Sequence, residues 1–202
     1  MDEITVNNYC LLRGRMTEVP RYSHSARGED FYHFPLEISR LSGTTDIINI
    51  ISRSSLLDDI EVKKNCNLCI EGTLRSFNNK SGAGPKLVIT VFAKEMYFEP
   101  GDDENIIELR GTICKPPSFR ATPMGREICD LMLAVNRPYG RSDYLPCITW
   151  GLKAREAAQW SVGTSVILNG RIQSRNYTKI INGEYFEKTA YEVSVINICK
   201  DT

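Results

Sequence analysis

The chain has little of what usually announces an enzyme. Its 202 residues include only two histidines, His24 and His33, and they make no pair of histidines near a Ser or Cys nucleophile. No G-x-G-x-x-G or Walker-type loop offers backbone amides to phosphates. No apolar run reaches the roughly 20 residues that span a bilayer. The start, MDEITVNNYC, is acidic where a secretory signal is basic and then apolar. These absences predict a cytoplasmic protein that is not an enzyme, has no contact with membrane, and needs neither metal nor cofactor.

Cysteine is present but not in a pattern that builds a site. There are seven, an odd number, and Cys10, Cys114, Cys129, Cys147 and Cys199 sit in apolar segments, where a free thiol behaves as a small hydrophobe. Cys66 and Cys69 make one CxxC without a second pair, although a structural zinc needs four ligands. On a strand, positions three apart also point to opposite faces. Asp58, Asp59 and Glu61 cluster in what reads as a short helix, where a solvated acidic face is the ordinary explanation.

The formal net charge is zero, which at first argues against a polyanionic partner. The average hides an asymmetry. Residues 1–104 hold 12 Lys+Arg against 16 Asp+Glu, and residues 105–202 hold 13 against 9, so the halves carry −4 and +4.

The halves are also copies. Placing residue n over n + 97 sets LLRGRMTEVPRY (11–22) on ELRGTICKPPSF (108–119), and matches Arg40 with Arg137, Gly43 with Gly140 and Asp46 with Asp143. One residue further out of step, CIEGTLRS (69–76) falls on ILNGRIQS (167–174). Between them EPGDDEN has no apolar residue and reads as a linker. The expected organisation is 1–99, a linker at 100–104, and 105–202.

Each copy reads as three strands, a helix and two strands. In the second these are 106–113, 128–136 and 144–150, a helix over 153–160, then 166–177 and 185–198 around the turn dipeptide Asn182-Gly183. That order predicts an all-β protein, with one short helix per unit, made of two tandem OB-folds, five-stranded barrels. Alternation places Leu131, Leu133 and Val135 in the core, as it does Phe34, Leu36 and Ile38 in the first copy. Leu145, Cys147 and Thr149 follow, then Val166, Leu168, Gly170 and Ile172; Trp160 also reads as core.

The remaining positions set rings and guanidiniums outside: Tyr144, Pro146, Ile148 and Trp150 on one strand, and Arg171, Gln173, Arg175 and Tyr177 on another. Tyr139, Arg137 and Arg141 lie in or beside the connecting turn. Outward rings can stack on nucleic-acid bases, with nearby cations on phosphates. They can equally pack against another protein, since Tyr, Trp and Arg are enriched in interfaces. The pattern alone leaves both open.

ELRGTICKPP, LMLAVNRPYG, YLPCITWG and ILNGRIQSRNYT resemble, in order and spacing, the bacterial single-stranded DNA-binding proteins over nearly all of 105–199. The resemblance implies sequence-tolerant binding of single-stranded DNA, with RNA also open, in replication, recombination or repair. It implies base stacking by Tyr139, Tyr144, Trp150 and Tyr177 and phosphate contacts by Arg137, Arg141, Arg171, Arg175 and Lys179. The first copy has Ser42, Ile47 and Arg53 where the second has Tyr139, Tyr144 and Trp150, so weaker contacts are expected there, from Tyr22, Arg53, Arg75 and Phe77. The resemblance further implies a homodimer carrying four OB-folds, with the strands around 9–15 and 107–113 at its interface. The acidic tip by which such proteins recruit repair enzymes is not seen after ICKDT. The alternative within the fold is a primosomal-type adaptor that uses the aromatic face for protein contacts.

Overall fold

A computed structural model describes residues 7–58, 63–79, 86–181 and 183–201, with the side chains of 179 and 181 outside the description. The strands are β1 (Asn8–Met16), β2 (Arg21–Ala26), β3 (Glu29–Ser39) and β4 (Thr45–Arg53). Helix α1 (Ser54–Asp58), β5 (Asn67–Asn78) and β6 (Leu87–Tyr97) complete the first copy. The second repeats the order as β7 (Glu104–Ile113), β8 (Ser118–Ala121), β9 (Glu127–Arg137), β10 (Arg141–Trp150), α2 (Leu152–Ala157), β11 (Ser165–Ile181) and β12 (Glu184–Lys200).

Each copy closes into the predicted barrel. In the second, β9 pairs antiparallel with β10, and β10 runs parallel to β12 at Cys147–Val193 and Ile148–Ser194. β12 pairs with β11, β11 with β7, and β7 returns to β9 at Thr112–Ala134. The first copy uses the same circuit, with β4 parallel to β6 at Ile50–Val91 and β1 against β3 at Arg15–Glu37. Gly14 and Gly111 stand where each barrel closes. A Cβ on Gly14 would lie 2.3 Å from the Glu37 carbonyl oxygen, and one on Gly111 would lie 2.6 Å from that of Ala134. Any side chain there would force the closing strands apart.

The alternation reads correctly into the core. Leu131, Leu133, Val135, Leu145 and Cys147 are buried, as are Phe34, Leu36, Ile38, Ile48 and Ile50. Val166, Leu168, Gly170 and Ile172 point inward from β11, and Trp160 is buried. Ile148 departs from the pattern. It lies on the outer face of β10 and is nevertheless buried, because β10 is flanked there by Asp130 of β9 and Ser194 of β12.

Several boundaries differ from expectation. β2 and β8 are extra strands in segments expected to be loops, so His24 is a strand residue and each copy has six strands. Both are exposed along their whole length and pair along one edge only, with β3 or β9. Helix α2 ends at Ala157 and not at Trp160, because the Gln159 and Trp160 amides turn back to Glu156 and Ala157, tightening the last turn. Cys66 precedes β5 and its amide donates to the Lys63 carbonyl, so only Cys69 of the CxxC is on the strand. Asp59, Glu61 and Asn182 lie outside the described residues.

The linker is partly strand. Glu104 opens β7, and its carboxylate and that of Glu99 each lie 2.6 Å from the Arg13 guanidinium. One repeat later Arg110 is held by Asp201, the residue that the 97-residue offset places on Glu104. By contacts the chain forms two compact units, one of Tyr9–Arg75 with Thr90–Ile106, the other of Met1–Asn8, Ser76–Ile89 and Ile107–Thr202. The outer part of hairpin β5–β6 therefore packs in the second unit, although it is coded in the first copy.

Candidate nucleic-acid interface

The β9–β10 hairpin turns on Pro138–Gly140, with Arg137 opposite Arg141. Tyr139 has φ 66° and ψ 32°, a left-handed conformation that is strained for a bulky residue. Its ring is 94% exposed. Nothing in the core requires this ring.

Tyr144 and Trp150 both project outward from β10, 49% and 37% exposed, six residues and about 20 Å apart along the strand. The Trp150 indole Nε1–H donates to the Ser194 hydroxyl at 3.3 Å, which anchors the partly exposed ring. Arg171 lies across β11–β12 from that same Ser194, exposed and without an ion-pair partner among the described residues. Tyr177 is half-buried on β11, with the Arg175 guanidinium 5.8 Å above its ring centroid. Arg175 also reaches Glu192 at 3.8 Å. Arg141 is exposed and unpaired among the described residues; the Lys179 side chain lies outside them.

Arg137, expected as a phosphate contact, is engaged by a carboxylate of its own hairpin. Its Nε and Nη2 grip both carboxylate oxygens of Asp143, which is wholly buried, and Nη2 also donates to the Ser76 carbonyl at 3.2 Å. Arg40 and Asp46 make the same bidentate pair in the first copy, at 2.6 Å for each bond. A pair kept in both copies serves the hairpin.

A cleft of about 520 Å³ opens on the outer face of the second barrel. Its floor includes Met132 and Pro146, and its walls include Tyr177 and Tyr191. Beneath it, burial pushes the Cys147 thiol far above its usual range, and Glu192 adds to the effect. That sulfur is inert packing. Arg120 at the rim is held by Asp130, which keeps its guanidinium all the more firmly charged.

The first copy gathers Arg53 and Arg75, both expected as weaker contacts, on a ring that sequence reasoning overlooked. Arg53 and Arg75 converge on the Phe92 ring, at 5.8 and 5.9 Å from its centroid. Phe31 lies 6.0 Å away, with His24 stacked on it at 4.9 Å. Alternation on β6 would have found Phe92, since Val91 and Ala93 on either side are buried. Tyr22 is exposed on β2, edge-on to Tyr32, and Phe77 is exposed at the end of β5. Neither is part of the Phe92 cluster.

Closed five-strand circuits with a helix before the fourth strand of the circuit, and rings outside, define an OB-fold protein. Residues 104–199 match the model of the Single-strand binding protein family. Among curated relatives, single-stranded DNA-binding protein 2 of Listeria innocua is 35% identical over 80 residues, covering 36% of this chain and 50% of the relative. Single-stranded DNA-binding protein A of Bacillus subtilis is 34% identical over 80 residues, covering 36% of this chain and 46% of the relative. The chain thus spans about half the length of the curated relatives it matches. The wild-type single-stranded DNA binding protein from Thermus aquaticus superposes with a TM-score of 0.78 at 20% identity, covering 96% of this chain and 93% of the other. That likeness extends the fold to both copies.

Proposed function

We propose that this protein binds single-stranded DNA with little regard to sequence, mainly on its second barrel. The observation that carries this is the set of outward rings at Tyr139, Tyr144 and Trp150, on a barrel matching a family whose curated relatives are named for single-stranded DNA binding. Bases stack on Tyr139, Tyr144, Trp150 and Tyr177, each contact supplying roughly 1–3 kcal/mol. Arg141, Arg171 and Arg175, with Lys179, meet phosphates. Arg137 acts behind them by fixing the hairpin through Asp143. RNA oligomers compete to the extent that the groove reads bases and phosphates and not the sugar.

The first copy adds a weaker contact centred on Phe92, Arg53 and Arg75, with separate contributions from Tyr22 and Phe77. The working form is a homodimer with four barrels, acting where replication, recombination or repair exposes single strands. Light scattering after gel filtration distinguishes a dimer from a monomer.

The direct test is fluorescence titration with poly-dT. Quenching is expected, with affinity at least tenfold weaker in the Trp150→Ala/Tyr177→Ala double variant and falling steeply with salt. Unchanged affinity in that variant sinks the site. No quenching at low salt, with a protein retained on the aromatic face instead, favours the adaptor reading.

A further inference from the structure

The cleft on the second barrel is built in part by the first copy of the repeat. Ser76, at the outer end of β5, donates its amide to Asp143 Oδ1 at 2.6 Å. Its hydroxyl accepts the Tyr144 amide at 2.7 Å, and its carbonyl accepts from Arg137 at 3.2 Å. Three hydrogen bonds thus pin this serine to the base of the β9–β10 hairpin. Three residues further on, the Asn79 amide donates to the Lys86 carbonyl at 2.7 Å. Lys86 then lines the cleft, together with Leu87 and Ile89.

The charges in the cleft are unevenly satisfied. Asp130 is taken by Arg120 at 2.7 Å, and Glu192 by Gln173 at 3.1 Å and Arg175 at 3.8 Å. Lys86 and Lys115, from the connection between β7 and β8, also line it. Both are exposed, and neither has an ion-pair partner among the described residues. Among the described residues, these two ammonium groups have no ion-paired acid, and they line a cleft that also holds Tyr177.

We infer that Lys86 and Lys115 bind backbone phosphates of the strand stacked on Tyr177, so that the first repeat's hairpin is a working wall of the second barrel's site. This rests on the single-stranded DNA reading above. The serine anchor sets where Lys86 stands, and Lys86 sets where the strand leaves the cleft.

The test is the salt dependence of poly-dT binding, read by Trp150 fluorescence, for the full chain and its Lys86→Ala, Lys115→Ala and double variants. Each phosphate contact in a single strand contributes about 0.7 to the slope of log affinity against log salt. The double variant is expected to lose about 1.4 in slope and about tenfold in affinity at 0.15 M salt. Lys86→Arg is expected to keep the wild-type slope. Lys200→Ala, an exposed lysine away from the cleft, controls for diffuse charge. An unchanged slope in the double variant while the wild type binds overturns the inference, as does an equal loss in Lys200→Ala. No binding by the wild type overturns the reading on which it rests. Thermal unfolding of each variant checks that the fold is intact.

Discussion

Arg137 grips both carboxylate oxygens of Asp143 through Nε and Nη2, and one repeat earlier Arg40 grips Asp46 with the same two atoms. The first copy lacks Tyr139, Tyr144 and Trp150 and has kept this pair. The pair therefore serves the hairpin whether or not the rings are present.

It follows that Arg137→Ala destabilises the protein by about 3–5 kcal/mol, because it strands a buried carboxylate. Arg40→Ala acts in the same direction in the other barrel. Arg141→Ala changes stability by less than about 0.5 kcal/mol yet weakens poly-dT binding. Urea unfolding beside a binding titration separates the two arginines. Equal effects on stability would refute the division of labour.

Tyr139 is expected to show opposite effects on fold and ligand. Glycine relieves a left-handed position by about 1 kcal/mol, and its greater freedom in the unfolded chain offsets part of that. Tyr139→Gly thus unfolds at the same temperature or higher, while poly-dT affinity drops about fivefold or more with the lost stacking contact. A lower melting temperature would show that the ring packs on the protein.

The two tryptophans should report separately. Trp150 is open on one face and Trp160 is buried in the core. In Trp150→Phe the remaining emission from Trp160 stays constant on adding poly-dT. Trp160→Ala instead costs about 3–5 kcal/mol of stability and leaves the quenching in whatever protein remains folded.

The thiols give a pH prediction. Burial pushes Cys10 from 9.0 up to about 12, so the folded state holds its proton where the unfolded state releases it. Stability from this source is complete below pH 9 and declines as pH rises from 9 towards 12. At pH 8 the exposed Cys199 reacts with a disulfide reagent first. Cys199→Ser removes that fastest phase, and Cys10 and Cys147 react only after denaturant is added.

Much of this was legible because the chain repeats itself. Two alternating patterns in register fixed the barrel strands and the core around Leu133 and Phe34. The Arg40/Asp46 and Arg137/Asp143 match already held the clue that Arg137 is structural, but a charge pair six residues apart does not show in sequence that its carboxylate is buried. β2 and β8 left no signal, since RYSHSA and SFRA bury nothing and so show no apolar alternation. Phe92 was legible from its neighbours, yet the matching position of β12 is Ser194, so the second copy has no ring there to compare.

Ser76 sits in one copy of the repeat and completes the hairpin of the other. The interval that was duplicated and the interval that now coheres are thus different stretches of chain. Severing the protein at the junction near residue 104 would leave the Tyr144 amide without its acceptor and Asp143 without one of its donors. A module boundary drawn from the repeat therefore cuts through the hydrogen bonds that finish the second hairpin.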